Sequence, residues 1–248
     1  MSTDHRINNE AGFILHTYAF KETSVVAEVF TRAHGRVALI ARGARRPTSV
    51  LRGLMQPFTP LLLSWFGKSE LKTLHGAEWQ GGLIAPQGRA LMCGFYLNEL
   101  MLRLLARGDA HQALYDAYVA TLAQLAEAAP DSFEHILRRF EKTLLSETGY
   151  APTFDREVDS GETVRAEWAY VYQVERGPRR VHNGSHEGVS VSGQTLLQMA
   201  ADRFEDATTL SEAKPLMRML INHYLGAKPL YTRQLLRELT ELHEPLNP

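Results

Sequence analysis

The stretch GRVALIARGARRPTSVLRGLMQPFTPLLLSWF, Gly35 to Phe66, decides the fold. Its ends, GRVALIAR (35–42) and FTPLLLSWF (58–66), are rich in β-branched, aliphatic and aromatic residues, as strands require. Between them lies GARRPTSVLRGLMQP (43–57), a connection too long for a hairpin and punctuated by glycine and proline. GFILHTYAF (12–20) and SVVAEVFT (24–31) precede this pair, and ELKTLHGAEW (70–79) follows it, with the short separators KET, RAH and GKS. Five short strands with one long third-to-fourth connection predict a small barrel. The OB-fold, often a seat for oligonucleotides, is the commonest such barrel, and strand number alone also allows an SH3-like one.

Beyond about residue 81 the period changes. RALMCGFYLNELMLRLLARG (89–108) places Leu91, Phe95, Leu97, Leu100, Met101, Leu104 and Leu105 at three- and four-residue spacings, the pattern of an amphipathic helix. HQALYDAYVATLAQLAEAA (111–129) and DSFEHILRRFEKTLLSETG (131–149) predict two more helices. The third opens on Asp131 and Glu134 at capping-box spacing and closes at Gly149. Short loops between the three predict an antiparallel bundle. In the irregular segment 150–193, EWAYVYQV (167–174) alternates and pairs as a hairpin with 179–182. Helical spacing returns at 193–202, 211–226 and 232–242. The expected class is therefore α+β. A five-stranded barrel domain fills 1–80, GLIAPQG (82–88) is a hinge, and a helical domain with a hairpin insertion fills 81–248.

Charge is divided unevenly between the two parts. The net charge of −1 resolves into +4 over residues 1–80 and −5 over 81–248. No acid lies between Glu28 and Glu70, whereas Arg36, Arg42, Arg45, Arg46 and Arg52 fall within nineteen residues. Alternation turns Val37, Leu39 and Ala41 inward and Arg36, Ile40 and Arg42 outward; Arg45, Arg46 and Arg52 ride on the connection. A run of one sign with no acid inside it repels itself, which favours an anionic polymer over a purely solvated face. Arginine forks suit phosphate, and a barrel face can track a backbone. Tyr18, Phe20, Phe30, Trp65 and Phe66 are candidate stacking platforms. Trp65 and Phe66 are adjacent and must face opposite ways, so only one can be in the core.

Other chemistry finds little support. His182 and His186 in HNGSH are four apart, but glycine and serine between them make a turn rather than a metal-binding helix. Cys93, the single cysteine, permits no internal disulfide, suits a reducing cytoplasm, and sits among apolar residues. No phosphate-binding loop, nucleophile elbow or paired metal-binding carboxylates are present, so a binding protein without cofactor or metal is expected rather than an enzyme. A hydrolase using His182 and His186 in the 150–193 segment is the enzyme alternative. No signal peptide or membrane span is expected. LRRFEKTLL (137–145) carries Arg138, Arg139 and Lys142 opposite an apolar face. That is either a solvated basic side or a dock for an acidic peptide with an apolar end.

The run TRAHGRVALIARGARRPTSVLRGLMQPFTPLLLSWFGKSELKTLHGAE (31–78) resembles the RecO family of bacterial recombinational-repair mediators. The matching elements are Gly35 to Arg45 and Met55 to Leu63, joined by YLNEL (96–100), LRRFEKTLLSETGY (137–150) and GAKPLYTRQLLREL (226–239). The resemblance implies an OB-fold followed by a helical domain, binding of single- and double-stranded DNA, and strand annealing. It implies RecR and single-stranded DNA-binding protein as partners, so that RecA is loaded on coated strands. Arg36, Arg42, Arg45 and Arg46 fall on the family's basic strand and loop. Arg138, Arg139 and Lys142 fall where some members hold the acidic tail of single-stranded DNA-binding protein. Some relatives bind zinc through four cysteines in the segment corresponding to 150–193; this chain has none there, so no zinc and a hairpin stabilised by packing are expected. An RNA-binding OB protein of another pathway is the alternative that the basic barrel leaves open.

Overall fold

The computed structural model describes residues 5–181, 188–226 and 228–235. Five strands, β1 (Arg6–Phe20), β2 (Ser24–Thr31), β3 (Gly35–Ala41), β4 (Leu61–Phe66) and β5 (Leu71–Trp79), close into a barrel in the order β1-β2-β3-β5-β4. All pairings are antiparallel except β3 with β5, which run parallel over Ala38–Ile40 and Leu71–Thr73. This is the α+β class with an OB-type barrel, followed by helices and a small sheet. Val37, Leu39 and Ala41 point inward as expected and join Ile14, Val29, Leu61, Leu63 and Trp65 in one apolar core.

Two features of the barrel escaped the sequence patterns. β1 begins at Arg6 because the polar RINNEA segment pairs with β4, setting Ile7 against Trp65. The 43–57 connection is a chain of turns leading to the one-turn helix α1 (Leu51–Leu54), with Ala44 in the core and the Arg45 N–H donating to Thr23 O at 2.8 Å.

Packing divides the chain into two compact units. One is Met1–Ala128 with Leu230–Pro248; the other is Ala129–Pro229. In the first, α2 (Gly88–Leu104) lies on β1 and against α3 (Gln112–Glu127). Together they cover one flank of the barrel. Phe13 and Phe30 project from its outside into Tyr115 and Tyr118, with ring centroids 5.4–6.3 Å apart. Buried Asn98 donates to Leu15 O at 3.0 Å and accepts from the Tyr118 hydroxyl at 2.6 Å, so α2 buries a polar residue where apolar spacing predicted none. Phe95, assigned to the helix's core stripe, is partly exposed and packs edge-on to Phe58. Gly94 leaves the room for that ring, since a Cβ there would lie 2.8 Å from it.

The second unit holds α4 (Phe133–Glu147), a three-stranded sheet, α5 (Gly193–Ala200) and α6 (Ala207–Leu225). The three helices expected to form one bundle fall in different units: α4 packs on α6 in this one, while α2 and α3 belong with the barrel. Nor does the capping box form: a 3-10 turn at Pro130–Ser132 starts the segment, and the N-cap of α4 is Ser132, whose side chain makes no cap bond. The hairpin is present as β6 (Ala169–Gln173) and β7 (Gly177–Arg180), and β8 (Val189–Ser192) adds a third strand on the other edge of β6.

One buried carboxylate ties the barrel to its helices. Glu28 on β2 accepts from Arg36 Nη1 at 2.9 Å and pairs with Arg107, while Arg36 Nε donates to Leu105 O at 3.1 Å. The chain passes so close that a Cβ on Gly35 would overlap the Asp109 carbonyl, and the left-handed φ of 62° at Gly35 also demands glycine. Removing the acid would strip Arg36, only 16% exposed, of its carboxylate partner, while Arg107 would keep Glu70 at 3.7 Å. Glu28→Ala is therefore expected to cost about 3 kcal/mol in urea unfolding.

Candidate nucleic-acid interface

The five arginines of the opening stretch divide by partner. Arg36, expected on the open surface, has a side chain only 16% exposed and is held by Glu28 and Leu105 O. The idea that nothing nearby pairs the run does not hold for this residue: the β2–β3 register sets Phe30 opposite Arg36, which places Glu28 on the neighbouring outward position. Arg42, one residue past β3, and Arg45, Arg46 and Arg52 on the folded connection are exposed. Among the described residues the Arg42, Arg46 and Arg52 side chains make no hydrogen bond or ion pair, and Arg45 makes one long contact, Nη1 to Lys21 O at 3.4 Å. That contact places Arg45 at the β1–β2 turn. Arg32, outside the predicted set, is paired with Asp116 through two 3.0 Å hydrogen bonds.

Strand register shows which aromatic residues share this surface. Arg6, Phe66, Thr73, Ile40, Val26 and Tyr18 are successive cross-strand partners, so they form one outward row over all five strands. Tyr18 is 50% and Phe66 41% exposed, whereas Trp65 is core and Phe30 lies under the helices. The Trp65–Phe66 alternation is thus as expected. Phe20 continues the Tyr18 face, with Lys21 Nζ 5.6 Å from its ring centre. Lys68 is exposed in the β4–β5 turn. Arg6 and Lys68 flank the Phe66 side of this row and Lys21 its Tyr18 side.

The second unit treats its basic residues differently. Arg138 is buried against Glu141 at 2.8 Å. Arg139 donates to Glu205 at 2.9 Å and to Asp202 O at 3.2 Å. Lys142 Nζ donates to Met199 O, Ala200 O and the Asp202 carboxylate at 2.7, 3.0 and 2.8 Å. Arg139 and Lys142 fasten α4 to the end of α5 and the segment after it, while Arg138 pairs within α4, so the basic side is neither a solvated face nor an open set of cations. Lys142→Ala should lower the stability of this unit by about 2 kcal/mol, read by thermal unfolding, since three charge-assisted bonds go with it.

Segment 150–181 is held by a carboxylate. Glu157 accepts from the N–H groups of Asp159 (3.0 Å), Ser160 (2.6 Å) and Arg180 (3.3 Å) and from the Ser160 hydroxyl (2.6 Å), joining its own turn to β7. Burial would raise its pKa, but these four donors outweigh burial and hold it below the ordinary glutamate value. A depressed carboxyl stabilises the fold above its unfolded pKa, and that contribution fades as pH falls through the folded value. Amide exchange at Asp159, Ser160 and Arg180, corrected for intrinsic rates, should accelerate on acidification into and below the ordinary carboxylate range, and Glu157→Gln should remove most of that dependence. No group of three or more His, Cys, Asp or Glu among the described residues is placed to hold a metal ion. His182 and His186 lie outside the described residues. The Cys93 thiol is half-buried, and burial pushes its pKa up, away from nucleophile chemistry. Among the described residues, no helix is long and apolar enough to cross a membrane.

A closed OB-type barrel with exposed arginines on the connection after β3, joined to helices, is an architecture shared by many nucleic-acid-binding proteins. The comparisons narrow it: residues 5–82 match the model for the recombination protein O N terminal domain, and 85–234 that for the C terminal domain. The chain belongs to the RecO family. It is 72% identical over 250 residues to the DNA repair protein RecO of Thiobacillus denitrificans, covering 98% of this chain and 96% of that protein. To the DNA repair protein RecO of Aromatoleum aromaticum it is 54% identical over 245 residues, covering 98% and 100%. To that of Nitrosospira multiformis it is 51% identical over 234 residues, covering 94% and 96%.

Proposed function

We propose that this chain is a DNA-binding, strand-annealing mediator of recombinational repair. It acts in the cytoplasm, without a catalytic step or cofactor, and helps load RecA on single strands coated with single-stranded DNA-binding protein. The observation that carries the reading is that Arg42, Arg46 and Arg52 are exposed and make no side-chain bond among the described residues, with Arg45 nearly so. Annealing two polyanions needs a surface that neutralises phosphate without gripping base edges. Four arginines, three on turns and Arg52 on α1, beside a barrel meet that need for single or double strands. Arg36 serves from below, fixing the strand that leads into them.

Domain 1–80 carries the DNA, and 81–248 carries the partners, RecR and single-stranded DNA-binding protein. The acidic tail of the latter is received at α4. There Arg139, the most exposed of the three basic side chains, exchanges Glu205 for a tail carboxylate, while Arg138 and Lys142 hold the helix in place.

The test is a salt titration paired with an annealing assay on oligonucleotides coated with single-stranded DNA-binding protein. Arg42→Ala with Arg45→Ala should weaken binding to all sequences alike and flatten the log–log salt slope on single strands by about 0.7 for each phosphate deprived of its arginine. Annealing of coated strands should fall in step. An unchanged slope would show that these arginines do not touch the DNA backbone.

A further inference from the structure

The closed flank and the open flank of the barrel are built from the same strands with opposite chemistry. On the closed flank the outward residues Phe13, Phe30 and Glu28 are buried under α2, α3 and their connection. On the open flank the row Tyr18–Val26–Ile40–Thr73–Phe66–Arg6 has an aliphatic centre, with an exposed aromatic ring on each side of it. Tyr18 and Phe66 are four strand spacings apart, about 19 Å along the surface. Each ring is braced by a histidine ring at 66°, Tyr18 by His16 at 4.4 Å and Phe66 by His75 at 6.4 Å. Exposed rings cost the unbound protein contact with water, and bracing them removes rotamer freedom that a ligand would otherwise have to quench. The row itself carries no carboxylate. Arg42 is the next outward position beyond Ile40, and Lys21, Arg45 and Lys68 lie in the turns around it, with Glu22 and Glu70 the acids in those turns.

We infer that Tyr18 and Phe66 are stacking platforms for unpaired bases, and that this row makes the barrel discriminate single strands from duplex. The inference rests on the nucleic-acid reading above and adds the ligand form and the residues that select it. A flat ring can stack only on a base whose face is free, and in a duplex both faces are covered by neighbouring pairs. The arginines touch phosphate, which both forms present, so they cannot discriminate. The span between the rings suits a short strand of about four nucleotides, the lower end of what one OB-fold holds. The cations around the row neutralise its backbone.

The experiment uses the full chain, a fluorescent oligothymidine and a duplex of equal length, each titrated at several salt concentrations. Tyr18→Leu with Phe66→Leu keeps apolar bulk on an exposed surface, and thermal unfolding checks that the fold is kept. The expected result is a loss of single-strand affinity of at least about fivefold for each ring, with duplex affinity and both salt slopes unchanged. Tyr18→Phe with Phe66→Tyr, which keeps both rings, should bind as the unaltered chain does. Equal loss on both forms, or no loss on the single strand while the salt slope is intact, overturns the stacking assignment and leaves the phosphate reading standing. An unaltered chain that binds neither form overturns both.

Discussion

The Glu28 carboxylate, buried between Arg36 and Arg107, is the interaction on which the arrangement of the first unit depends. It joins β2, β3 and the segment after α2 at one point, while Arg36 also takes the Leu105 carbonyl. Charge at such a depth is tolerated only when it is fully partnered, so the strands and the helix end cannot slide relative to one another without exposing an unpaired ion. That fixes which flank of the barrel the helices cover. The other flank, with Tyr18, Ile40 and Phe66, is left to solvent, and the arginines that follow β3 emerge beside it. A single acid thus separates the one arginine that builds the scaffold from the four that the scaffold displays.

Much of the fold was legible because burial on one side of a strand writes an alternating pattern. β2, β3, β4 and β5 were readable to within a few residues, and so was the inward set Val37, Leu39 and Ala41. The first six residues of β1 were not, since RINNEA is polar and becomes strand only by pairing with β4. β8 is four residues long, too short to show a period. The three helices at 88–147 were visible individually, yet helical periodicity says which face is apolar and not what covers it. Hence α4 was assigned to α2 and α3 when it packs on α6.

The candidate site was legible in composition and only partly in geometry. Five arginines in nineteen residues pointed to a polyanion, and the loop after β3 does present four of them. Arg36 was within reach of a closer reading, because the short turn between β2 and β3 puts Glu28 and Arg36 on neighbouring outward positions. Lys142 and Arg139 were not within reach, for their partners lie 57 to 66 residues away. Cations on a helix face look alike in sequence whether they greet a ligand or hold the next loop. The difference lies in distant carbonyls and acids.

The chain leaves the first unit after Ala128 and comes back to it at Leu230. There Glu99 on α2 accepts from the N–H groups of Tyr231 and Thr232 and from the Thr232 hydroxyl at 2.6–2.8 Å, and Arg233 lies over the Tyr96 ring. On the ribosome the barrel and α2 are made well before residues 231–233, which clasp α2. The second unit has its whole sequence, and can fold, before the first is complete. A unit clasped by residues about 130 positions further along the chain is finished only once the second unit has been made. A chain halted before residue 230 would carry a Glu99 without these three donors.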